Sequence, residues 1–132
     1  MNTSHPLDAR VLLVTGAAGD LGAAIVHRCR EAGAHIAALD TAAAALRTRY
    51  AATPDILLIE ADIADPVGSE EAVRRTVKHF GRLNGLVNNA AVATPRNRVA
   101  EIPLDHWDQA IRVNLTGSWL MARWAIPHLI QA

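Results

Sequence analysis

Residues 11–22, read VLLVTGAAGDLG, constrain the fold more than any other stretch of the chain. Val11, Leu12, Leu13 and Val14 follow one another without a polar residue, a run too short for a helix and apolar on both faces. That pattern suits a buried strand of a parallel sheet. Thr15 and Gly16 end the run, Gly19 and Gly22 follow at three-residue spacing, and a helical pattern begins at Leu21. Strand, glycine-rich turn and helix N-terminus together make an anion site. Glycines let the backbone approach the anion, and the first free N–H groups of the helix point at it with the positive end of the dipole. The expected ligand is a dinucleotide pyrophosphate.

The rest of the chain alternates in the same way. Leu21, Ile25 and Cys29 form one face of a helix over residues 21–32, with Gly33 as its C′ residue. A second strand covers 35–39 and runs into Asp40; an alanine-rich helix over 41–52 is closed by Pro54. A third strand at 56–59 leads to Asp62 and Ile63. Asp65 then caps a helix with Pro66 at its first position, Val73, Thr76, Val77 and Phe80 facing inward, and Gly81 ending it. A fourth strand lies at 85–89, and residues 90–104 form a loop. Asp105 caps a last long helix carrying Trp107, Ile111, Leu115, Ala122 and Ile126, which Pro127 bends or ends.

Four strand–helix alternations predict an α/β, doubly wound parallel sheet with helices on both faces. Right-handed crossovers and strand order 3-2-1-4 set the first strand beside the fourth, at the topological switch point. The glycine turn and Asn88-Asn89-Ala90-Ala91 then open on one crevice. At 132 residues, the chain is one domain or part of one.

Charge and cysteine usage narrow the partners. The formal net charge is +0 and the arginines are scattered, which argues against nucleic acid and anionic membrane surfaces. Cys29 is alone, so no internal disulfide forms, and a cytoplasmic setting is expected. The apolar stretch at 115–130 carries Arg123, which argues against a membrane span. The six histidines show no ligand spacing, so no metal is expected.

Four motifs in order resemble the short-chain dehydrogenase/reductase family, from residue 11 to the end of the chain. Thr15-Gly16-Ala17-Ala18-Gly19-Asp20-Leu21-Gly22 is similar to its TGxxxGxG turn, and Asp62-Ile63 to the acidic-aliphatic pair that holds adenine. Asn88-Asn89-Ala90-Ala91 resembles its NNAG motif, and Val113-Asn114-Leu115 matches the helix position of a catalytic asparagine. Members such as 3-oxoacyl carrier-protein reductases look closest. The resemblance implies a Rossmann-like sheet and hydride transfer between a nicotinamide dinucleotide and a small alcohol or carbonyl compound. Gly16, Ala18, Gly19, Asp20, Leu21, Gly22, Asp40, Asp62, Ile63, Asn88 and Ala90 would contact the cofactor. Asn114 would serve catalysis, through a helix kink whose freed carbonyl holds a water in a proton relay.

Asp40 ends the second strand, where its carboxylate can accept from the adenosine ribose hydroxyls or cap the next helix with Thr41. No arginine stands at 17, 18 or 41 to receive a 2′-phosphate, so NAD is favoured over NADP. The amide of Asn88 is expected to bridge neighbouring strand ends.

Two departures from the family pattern matter. Ala91 replaces the last glycine of NNAG, a mild change, and Asp20 replaces the middle glycine of the turn. A carboxylate 4 Å from a pyrophosphate charge is repelled by roughly 4 kcal/mol at an effective dielectric of 20. Asp20 must therefore point away, or cap the turn's own N–H groups.

The family's serine, its acid–base tyrosine and the lysine four residues later lie beyond the asparagine helix. In this chain the sole tyrosine is Tyr50 and the sole lysine Lys78; both, with Ser118, read as structural. The expectation is a cofactor-binding half, truncated before that segment and inactive alone. Its last helix, with Trp119, Leu120, Ile126 and Leu129 as exposed candidates, invites a homo-oligomer. The alternatives are a non-catalytic dinucleotide-binding or partner-modulating module, and an interaction protein in which Asp20 blocks the cofactor.

Overall fold

The computed structural model describes residues 5–132. Its strands are β1 (Val11–Thr15), β2 (His35–Asp40), β3 (Leu57–Glu60) and β4 (Gly85–Val87), parallel and ordered β3-β2-β1-β4. The helices are α1 (Asp20–Glu31), α2 (Ala43–Arg49), α3 (Pro66–Phe80), α4 (Leu104–Ala110) and α5 (Ser118–Gln131). This is the expected doubly wound, Rossmann-like sheet.

Side-chain alternation along β1 builds a core on each face. Val11 and Leu13 pack with Ala72, Val73, Met121 and Ala125, so α3 and α5 cover that side. Val14 packs with Val26, Ile36, Leu46 and Tyr50, which puts α1 and α2 on the other. Leu13, Val14 and Ala37 have no solvent-accessible surface, as the continuous apolar runs require.

Several helix ends follow directly from their residues. Asp65 caps α3 by accepting from the Gly68 N–H at 2.8 Å, Pro66 occupies the first turn, and Gly81 closes the helix at φ 80°. Elsewhere the structure departs from the pattern. Leu21 is exposed, and the buried face of α1 is Gly22 and Val26. The helix α2 is shorter than residues 41–52, and β4 stops at Val87. Pro103, not Asp105, stands at the N-cap of α4. Pro127 neither ends nor interrupts the assigned span of α5. It comes late enough that most of the helix already lies before it.

The last helix is continuous but not uniform. Between α4 and α5, residues Ile111–Gly117 wind as a π-helix, with helical dihedrals at both junctions. Asn114 sits in the middle of this wider turn, where its helix-breaking preference is accommodated. Among the described residues, no helix is long and apolar enough to cross a membrane.

Candidate functional site

The C-terminal ends of the strands open on a cleft of about 490 Å³. Gly16, Gly19, Asp20, Leu21 and Gly22 line one wall, Asp40, Asp62 and Ile63 the second, and Ala90, Val92, Gln109 and Arg112 the third. Of the residues singled out by sequence, Ala18, Asn88 and Asn114 stand outside this lining.

The glycine wall exists because two glycines allow close approach. Gly16 has φ 66°, and a Cβ there would lie 2.8 Å from the Ala90 Cα, so any side chain would push the β1 and β4 exits apart. A Cβ on Gly22 would overlap the Gly16 carbonyl, so α1 begins tight against the turn only because Gly22 has none. Gly19 is the N-cap of α1 and contributes no side-chain cap. Among the described residues, the N–H groups of Asp20, Leu21 and Gly22 have no carbonyl or side-chain acceptor; the ladder starts with Ala23 donating to Gly19. Three unpaired donors at the positive end of a twelve-residue helix edge the cleft.

Thr15 ties the two strand exits together. Its hydroxyl, wholly buried, accepts from the N–H groups of Asn89 at 3.0 Å and Ala90 at 2.9 Å and donates to the Val87 carbonyl at 3.3 Å. The Asn89 amide donates to the carbonyls of Thr15 at 3.1 Å and Gly16 at 3.3 Å. The bridging amide is thus Asn89, and not Asn88 as the sequence suggested. Asn88 instead donates to the Ser118 carbonyl at 3.2 Å. It lies past the end of β4, where the chain turns so that the Asn89 N–H returns to the Val87 carbonyl at 3.1 Å.

Asp40 is anchored at both oxygens. It accepts from the Ala18 N–H at 3.0 Å and the Ala42 N–H at 3.0 Å. Ala42, rather than Asp40 or Thr41, is the N-cap of α2. Ala18, itself outside the lining, thus fixes a carboxylate that lines the cleft.

Asp62 is anchored as well. It accepts from the Ala64 N–H at 2.9 Å and from Arg112 at 2.6 Å. Burial works against its charge, yet the Arg112 hydrogen bond, the Ala64 N–H and the Arg112 charge prevail and hold its carboxyl below the usual carboxylate range. The partners are fifty residues apart, so no local spacing could have announced Arg112.

Asp20 lines the cleft but caps no N–H group. Its carboxylate accepts from the Arg49 guanidinium at 3.0 Å, and the same guanidinium donates through Nε to the Ala18 carbonyl at 3.0 Å. Next to it, Tyr50 donates to the Ala17 carbonyl at 2.7 Å. Burial raises the phenol pKa; Arg49 lowers it and Asp40 adds to the rise. A phenol held neutral and spent on a carbonyl is structural, in line with its sequence reading.

Asn114 clamps the 90–104 loop. Its side chain accepts from the Val92 N–H at 2.8 Å and donates to the Val92 carbonyl at 3.1 Å. The carbonyl of Asn114 accepts from the Ser118 hydroxyl at 2.9 Å, a serine back-bond within the helix.

With this geometry in place, likeness to known proteins decides the family. The profile described as short chain dehydrogenase matches residues 10–132. The chain belongs to the short-chain dehydrogenase family. An uncharacterized oxidoreductase of Thermotoga maritima is 35% identical over 129 residues, covering 95% of this chain and 50% of that protein. The cis-1,2-dihydrobenzene-1,2-diol dehydrogenase of Pseudomonas putida is 37% identical, over 96% of this chain and 48% of its own length. The crystal structure of a 3-ketoacyl-(acyl-carrier-protein) reductase from Brucella melitensis complexed with NADH superposes with a TM-score of 0.89 at 28% identity. That match covers 92% of this chain and 50% of the reductase. This short-chain dehydrogenase chain spans about half the length of these relatives.

Proposed function

We propose that the chain is the cofactor-binding half of an NAD-dependent oxidoreductase that interconverts small alcohols and carbonyl compounds. One observation carries this reading: the unpaired N–H groups of Asp20, Leu21 and Gly22 edge a cleft whose opposite wall carries the carboxylate of Asp40. Donors suit a pyrophosphate, and an anchored acceptor suits a ribose diol. Gly16 and Gly19 would admit the pyrophosphate to the backbone, and Asp62 with Ile63 would border the adenine. Ala90 would line the third wall, with Asn88 behind it bonded to the Ser118 carbonyl of α5. The bound nicotinamide would supply or accept the hydride.

NAD is the better fit because Asp40 would meet a 2′-phosphate with like charge. Arg49, the cation nearest the turn, is already bound to Asp20 and the Ala18 carbonyl. Asn114 serves the reaction indirectly in this reading, by holding Val92 at the cleft wall. A reducing, cytoplasmic setting suits the free Cys29.

Neither Tyr50 nor Lys78 is available for acid–base work. Tyr50 is bonded to the Ala17 carbonyl, and Lys78 lies in the last turn of α3, outside the cleft. Without a positioned acid–base group, turnover falls on the order of 10²–10⁴-fold. The test has two readings. Tryptophan quenching should show NADH bound more tightly than NADPH, and Asp40→Ser should narrow the gap. NAD-dependent oxidation of small secondary alcohols by the purified chain should stay near background. Preferred NADPH binding, or turnover at ordinary enzyme rates, overturns the reading.

A second reading concerns association. Trp107, Leu115, Trp119 and Ile126 are all about half exposed along α4, the π-turn and α5, whereas Leu120 is buried and Leu129 partly so. The apolar stripe suits a second copy of this helix, giving a homo-oligomer or a pairing module. Sedimentation of Trp119→Ser as a monomer beside a dimeric parent supports it; a monomeric parent removes it.

A further inference from the structure

Asp20 puts a full negative charge where the family pattern has a glycine, at the first position of the helix whose free N–H groups edge the cleft. An unpaired carboxylate there has two ways to oppose an anion. It repels the anion directly, and it can turn back to accept from the same helix N–H groups that the anion needs. In the structure it makes no bond to those N–H groups; the carboxylate, fully exposed at the edge of the cleft, is held by Arg49.

The arrangement around Arg49 is built to hold that charge. Arg49 is the last residue of α2, and its guanidinium reaches two acceptors at once, Asp20 at 3.0 Å and the Ala18 carbonyl at 3.0 Å. Its neighbour Tyr50 is buried and fixed to the Ala17 carbonyl at 2.7 Å, which sets the end of α2 against the turn. A lone exposed ion pair contributes little. Here the cation is directed by its second bond, to the Ala18 carbonyl, while the Asp20 side chain stays fully exposed.

We infer that Arg49 is a positioning residue for dinucleotide binding. It keeps the Asp20 carboxylate latched outside the pyrophosphate position, so that a turn carrying aspartate in place of glycine still accepts the anion. The inference rests on the dinucleotide reading proposed above. Its particular content is that Asp20 is harmful only when Arg49 is absent.

The test is a binding cycle with NAD and adenosine as probes, measured by calorimetry on the parent chain, Arg49→Met, Asp20→Asn and the double variant. Arg49→Met should weaken NAD about three- to tenfold, the range for one unscreened charge near a partly exposed anion. Adenosine, which carries no phosphate, should change less than about twofold. Asp20→Asn should bind NAD at least as well as the parent, and the double variant should recover the affinity lost in Arg49→Met. Circular dichroism of each variant verifies the fold, and Asp20→Asn carries the comparison if Arg49→Met unfolds. In that case an Asp20→Asn affinity below the parent's overturns the latch. A loss in Arg49→Met that Asp20→Asn fails to restore also overturns it, since the Ala18 brace would then be responsible. An unchanged Arg49→Met overturns it while leaving the dinucleotide reading intact. A parent chain that binds no NAD overturns both.

Discussion

Replacing Thr15 by valine isolates the bond network that brings the two strand exits together. Valine is nearly isosteric with threonine, so it opens no cavity in this fully buried position. It removes the hydroxyl that accepts from the N–H groups of Asn89 and Ala90 at 3.0 and 2.9 Å. Each buried donor left without an acceptor costs about 1–3 kcal/mol. The Asn89 N–H keeps the Val87 carbonyl at 3.1 Å, so the cost falls on the Ala90 N–H and is about 1–3 kcal/mol. Thr15→Ser keeps the hydroxyl and loses one methyl, at about 1 kcal/mol. Urea unfolding followed by circular dichroism should rank the parent above serine and serine above valine, with the slope unchanged. A valine variant within about 0.5 kcal/mol of the parent, or less costly than serine, refutes the assigned role.

Three further outcomes follow from the site. Gly22→Ala would overlap the Gly16 carbonyl, and overpacking of this kind costs about 1–3 kcal/mol, so urea midpoints should fall. A midpoint unchanged from the parent contradicts the close approach. Asp62 has a folded pKa depressed below 3.8, so its pairing stabilises the chain fully above that pH and loses its effect as pH falls through the lower folded value. Arg112→Met removes most of the depression, and urea midpoints measured between about pH 5 and pH 2.5 should decline less steeply in the variant; equal slopes would count against the pair. Asn114→Ala breaks both bonds to Val92, so the Val92 amide should exchange faster with solvent by about tenfold or more, the equivalent of about 1.4 kcal/mol. Unaltered exchange at that amide would show that the clamp does not hold it.

The parts legible in sequence were those set by local pattern. Continuous apolar runs marked parallel strands, and Asp65-Pro66 with Gly81 marked both ends of α3, because caps depend on neighbouring residues. The order β3-β2-β1-β4 is the usual one for a doubly wound sheet of such alternating units. What sequence missed depends on distant partners. Arg49 meets Asp20 across twenty-nine residues and Arg112 meets Asp62 across fifty, with no periodicity to connect them. Asn88 and Asn89 are adjacent amides past the end of β4, and the local turn there determines which faces β1. Leu21 fitted a helical apolar face by spacing, yet the first turn of α1 faces the cleft, leaving it exposed.

The most direct measurement is an amide NMR titration of the isotopically labelled chain with NAD. The expected result is saturable shifts concentrated at Asp20, Leu21 and Gly22, with Ala90 and Ile63 following on the opposite walls. Saturable shifts centred instead on the shallow hollow of His27, Arg30 and Asp55, or no saturable shift at the α1 N-terminus, would contradict dinucleotide binding in this cleft.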